Sequence, residues 1–162
     1  MYGMAPDTSD PRHRRLYAAG LLFAAGSAIH IADHLRRGQG SVTDTLDAVG
    51  TLALVLQVVV VTLILTRHRL APLVAVAVGP SLALGFLAAH WTPHWSALSD
   101  PLWDMTSSWP ALSYAASTLE IVGALAVGLA GWAIVRHDGL AAYATVQPTS
   151  TLRDDVRDRI DK

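Results

Sequence analysis

Runs of Leu, Val, Ala and Ile recur along the chain, set apart by short polar segments. They extend over Leu16–Leu35, Thr43–Thr66, Leu70–His90 and Ala111–Val135. A bilayer core of about 30 Å is crossed by roughly 20 apolar residues at helical rise. Each run meets that length, so the pattern predicts an all-α integral membrane four-helix bundle. On this reading residues 16–137 form the bundle, 1–15 a disordered N-terminal tail, and 138–162 a polar tail. In that last tail Leu152, Val156 and Ile160 recur every fourth position, the spacing of a short amphipathic helix.

Local signals sharpen the spans. The first is rich in small residues, including Ala24, Ala25, Gly26 and Ser27, which let helix backbones approach closely in lipid. Its basic start and the small triplet Gly26–Ala28 resemble a cleavable leader, but the apolar run continues past the triplet and is expected to stay in the membrane. Pro72 falls in the first turn of the third span, where its missing N–H matters least, and Pro80 falls inside that span. The segment Trp91–Pro110 holds four of the five tryptophans, a residue that gathers at the water–lipid boundary. It is expected to cap the outer surface.

Composition narrows the function classes. The chain has 162 residues and a formal net charge of −1, so no global field draws nucleic acid, and none is expected as a partner. With no cysteine, disulfides, thiolate metal sites and thiol nucleophiles are excluded. Abundant Ala, Val and Arg beside a single lysine, Lys162, suggest a GC-rich bacterial gene and therefore the inner membrane. Arg12, Arg14, Arg15, Arg67, Arg69 and Arg136 lie on the side holding both termini, against Arg36 and Arg37 opposite. The positive-inside rule then places both termini in the cytoplasm.

Ionisable groups inside a span are expensive, so each calls for an explanation. His30 and His34 stand four residues apart and share a helical face, as two ligands of one metal must. His90, with His94 beyond it, closes the third span at the same membrane surface. The candidate site is therefore His30, His34 and His90, with Asp33, Asp47 and His94 around them to orient the rings. A His and carboxylate set without sulfur suits a transition metal ion, and a histidine from each of two helices also suits a b-type haem. The competing view leaves these histidines in the headgroup region, bonded to water and loop carbonyls. Arg36 and Arg37 are candidates to hold an anion.

Glu120 lies about ten residues into the fourth span, some 15 Å from its outer end, near the bilayer centre. Ser113, Ser117, Glu120, Ala124, Gly128 and Gly131 recur at steps of three or four and form one polar or small stripe. Gln57 lies at similar depth in the second span and is the expected hydrogen-bond partner of Glu120. No nucleophile elbow, phosphate-binding glycine loop or H-E-x-x-H pattern is present. Three readings remain open. The first is a metal- or haem-binding membrane protein with an outward-facing pocket. The second is a non-catalytic accessory or scaffolding subunit, as a homo-oligomer or in a larger membrane complex. The third is a proton-coupled carrier using Glu120.

Overall fold

The structure is a computed structural model and describes residues 10–38, 41–105 and 109–144. Within these the chain is all-helical: α1 Pro11–Arg37, α2 Asp44–Leu65, α3 Ala71–His90, α4 Pro110–Asp138 and a short α5 Ala141–Ala144. A single 3-10 turn, Leu102–Asp104, sits in the connection between α3 and α4. The first four helices are long and apolar enough to cross a membrane. The amphipathic pattern at residues 152–160 lies outside the described residues, as do residues 1–9 of the expected N-terminal tail.

The helix ends follow from capping chemistry. Helix α1 starts at Pro11, five residues before the apolar run, so residues 11–15 of the expected tail are helical. Asp10 caps that start, its carboxylate accepting from the Arg12 N–H at 2.8 Å, and Pro11 pre-sets the first helical φ. Hydropathy misses this turn because its residues are basic. Gly38 ends α1 at φ 89, a region that glycine enters without a Cβ penalty. Thr43 caps α2 through the Leu46 N–H, and its hydroxyl donates to the Ala97 carbonyl, tying α2 to the α3–α4 connection.

Helix α4 is central. It packs along α1 on one side and α3 on the other, while α2 meets α1 and α3 more loosely. Two glycines set how closely the backbones approach. A Cβ added at Gly26 of α1 would stand 2.9 Å from the Glu120 amide nitrogen of α4. One added at Gly79 of α3 would stand 2.7 Å from the Ala124 carbonyl oxygen and 2.8 Å from the Gly128 nitrogen. Both clashes are with backbone, which cannot swing aside. Lipid gives helices no hydrophobic drive to associate, so close van der Waals contact of this kind holds them together.

Phe23, Val60, Ala75, Val127 and Ile134 fill the interior. Leu52, Val55, Val58, Leu84 and Leu129 point outward, as expected of side chains that face acyl chains. The α3–α4 connection folds back over the helix ends. Its Asp100 N–H donates to the Ala89 carbonyl at 2.9 Å, and Ser99, Asp100 and Leu102 are buried. Two tryptophans anchor this end, Trp91 donating to the Ser117 hydroxyl at 3.1 Å and Trp95 to the Ala88 carbonyl at 3.0 Å.

The packing makes a direct prediction. Gly79→Ala is expected to cost about 1–3 kcal/mol by overpacking, read as a lower unfolding midpoint in detergent. Gly85→Ala is the control, because a Cβ there meets nothing within 4 Å, and its midpoint should equal or exceed the parent's through helix propensity. Equal midpoints for the two variants would contradict the close α3–α4 contact.

Candidate metal centre

Three imidazoles from two helices converge at one end of the bundle. His30 and His34 project from the same face of α1, one turn apart, and His90 is the last residue of α3. One ring nitrogen from each lies within 4.8 Å of the others. His30 stacks on His34 with ring centres 4.7 Å apart and planes 11° from parallel. His90 approaches His30 at 4.8 Å and His34 at 5.9 Å, tilted to both. His30 and His90 are buried and His34 is half-buried, so the cluster is reached from the His34 side.

The spacing fits ligation of a small ion. His30 Nε2 and His34 Nε2 are 2.9 Å apart. Two imidazole nitrogens on a tetrahedral zinc, each at about 2.0–2.1 Å, stand roughly 3.3 Å apart. A small outward rotation of either ring makes that room. A haem does not fit as well. Its macrocycle would have to lie between His30 and His90, whose ring centres are too close for that. Phe86, 5.9 Å from His30, closes the same space.

Each ring is oriented by a neighbour. Glu120 of α4 meets His30 Nδ1, an interhelical contact between two buried side chains. The carboxylate can only accept, so Nδ1 carries the proton and Nε2 offers its lone pair to the cluster. His90 Nδ1 donates to the Asp100 carbonyl at 3.1 Å, which frees its Nε2 in the same way. His34 receives a hydrogen bond from Arg37 at 2.9 Å on its Nδ1. Its own Nε2–H then points at His30, so ligation through Nε2 needs that proton moved to Nδ1 and the Arg37 hydrogen bond given up.

Charge around the cluster favours a cation. Asp33 is buried and accepts from Arg36 at 2.7 Å, with Arg37 3.4 Å away. Arg37 also reaches the Asp100 carboxylate at 2.9 Å. With Glu120, three carboxylates face two guanidinium groups, which leaves one negative charge if the imidazoles are neutral.

The structure places the other expected residues differently. Asp47 is exposed on the first turn of α2, and His94 is exposed beyond Pro93. Neither has a contact to the imidazoles among the described residues. The end of α2 is held by Thr43 on the α3–α4 connection, which leaves Asp47 facing outward, and Pro93 lies past the end of α3. Gln57 is buried, but Glu120 turns to His30 rather than to it, and Gln57 Oε1 has no hydrogen-bond partner among the described residues. The carboxylate accepts from the imidazole N–H in place of a neutral amide. Arg36 and Arg37, expected to hold an anion, are engaged by Asp33 and Asp100. Asp100 escaped the sequence reading, since no spacing ties a loop residue to a helix more than 60 positions away. Its one signal was the Asp100–Pro101 pair in a connection that begins at the His90 end of α3.

No protein-family model matches the chain, and no curated protein or solved structure is significantly similar to it, so its function has to be read from this site.

Proposed function

We propose that the chain is a multi-pass protein of a bacterial inner membrane that binds a divalent transition metal ion through His30, His34 and His90. The observation that carries this reading is the convergence of three imidazoles, two of which, His30 and His90, have a neighbour that leaves Nε2 free. Three neutral nitrogens without sulfur suit zinc, and also copper(II), nickel, cobalt or iron(II). Three protein ligands leave a further coordination position, the arrangement of sites that exchange water or bind a substrate. The half-buried His34 side is where it opens.

The membrane placement draws on the four long apolar helices. The basic residues at the end of the bundle opposite the imidazoles support cytoplasmic termini, with the metal site and the Trp-rich connection on the outer side. The accessory-subunit and proton-carrier readings make no use of the three converging rings. Glu120 paired to His30 serves the metal reading as the group that holds a ligand in place.

Metal analysis of the detergent-purified full chain, after equilibration with zinc or cobalt(II) and removal of excess, tests the proposal. An equimolar content is expected, lost in both His30→Ala and His90→Ala. Metal content that is substoichiometric, or that survives both substitutions, overturns it. A second outcome concerns Glu120. Glu120→Gln is expected to lower affinity about 10–100-fold while the stoichiometry holds, since it removes only the orienting carboxylate. Unchanged affinity in a competition titration would remove Glu120 from the site.

A further inference from the structure

At the other end of the bundle, where α1 begins and α2 turns into α3, lies a cavity of about 410 Å³ that the metal reading does not use. From His13 to His30 along α1 is about 25 Å at helical rise, so the two sites are separate. We propose that this cavity binds a phosphate group at the membrane surface, that of an anionic phospholipid.

The lining divides by chemistry. His13 and Arg14 from α1, with Arg67 and His68 from the α2–α3 turn, form its polar wall. Leu16, Ile64 and Pro72 are buried beneath them and form an apolar floor. Among the described residues none of the four basic groups has a carboxylate in ion-pair range, and the nearby Asp10 is taken by Arg12. Four potential donors around an apolar floor, with no acid to neutralise them, suit an anion that carries a hydrocarbon part. Arginine matches phosphate in particular, because its planar fork can donate two parallel hydrogen bonds.

A second observation comes from the backbone. Arg67 has φ 54, the left-handed region, and is the only non-glycine residue with positive φ among those described. It is the left-handed residue of a Schellman cap that ends α2, with the Arg67 N–H on the Ile64 carbonyl and the His68 N–H on the Leu63 carbonyl. Here the turn sends the Arg67 side chain back across α1, with its guanidinium 5.5 Å from the Tyr17 ring centre, at the cavity wall. A glycine would make this turn without strain, and arginine supplies what glycine lacks, a cation fixed over the cavity. The position suits a lipid headgroup, because the cavity lies where the apolar spans end and phosphates of a bilayer begin.

Native mass spectrometry of the full chain, exchanged into detergent with phosphatidylglycerol or phosphatidylcholine, reads lipid retention directly. Phosphatidylglycerol is expected to be retained at least tenfold better than phosphatidylcholine. Arg14→Gln with Arg67→Gly should weaken that retention about 25-fold, roughly fivefold per surface cation removed. Glycine suits the backbone at 67, so the variant should keep the parent's unfolding midpoint in phosphatidylcholine, which separates lost binding from lost folding. Inorganic phosphate at millimolar concentration should leave the lipid bound, because it cannot use the apolar floor. Equal retention of both lipids, full retention in the double variant, or complete displacement by inorganic phosphate would each overturn the assignment.

Discussion

A carboxylate buried among apolar helices has to find a partner, and in this chain Glu120 finds His30. Leaving either group unpaired at that depth costs several kcal/mol, so the contact fixes α1 against α4 in one register. Close backbone packing makes it possible. Gly26 lies one turn before His30 on the same face of α1, and its missing Cβ lets the Glu120 backbone approach. The stripe of small residues and the polar site are therefore one feature. Pull the two helices apart by the width of a methyl group and the carboxylate no longer reaches the ring.

From that contact the site extends in two directions. Towards α3, His90 completes the trio and is steadied by the Asp100 carbonyl, which brings the α3–α4 connection into the centre. Towards the end of α1, His34 meets Arg37, and Arg37 meets Asp33 and Asp100. Asp100 thus serves His90 with its backbone and Arg37 with its side chain, joining the two branches.

Much of the architecture was legible beforehand because hydropathy at helical rise is a strong signal. Four spans were expected and four apolar helices are present, with ends displaced where polar caps, rather than apolar side chains, decide them. Asp10 and Pro11 show the reason, since the first turn of α1 is written in capping chemistry and basic residues. The convergence of His30, His34 and His90 was also readable, two from helical periodicity and one from its place at the matching end of a span. Their neighbours were not. Depth alone paired Glu120 with Gln57, but the rotation of α4 about its axis, set by glycine contacts, turns Glu120 to α1. Asp47 and His94, expected beside the rings, are exposed. Level along a membrane normal can be counted in a sequence, whereas azimuth depends on packing.

The central claim is that imidazoles from α1 and α3 share one ion. X-ray absorption on the zinc-loaded full chain tests it most directly, because imidazole rings give characteristic outer-shell scattering. The account predicts three imidazole nitrogens at about 2.0–2.1 Å, and no such shell in His90→Ala, which loses the metal. A first shell of oxygen alone, or a spectrum unchanged by that substitution, would contradict it.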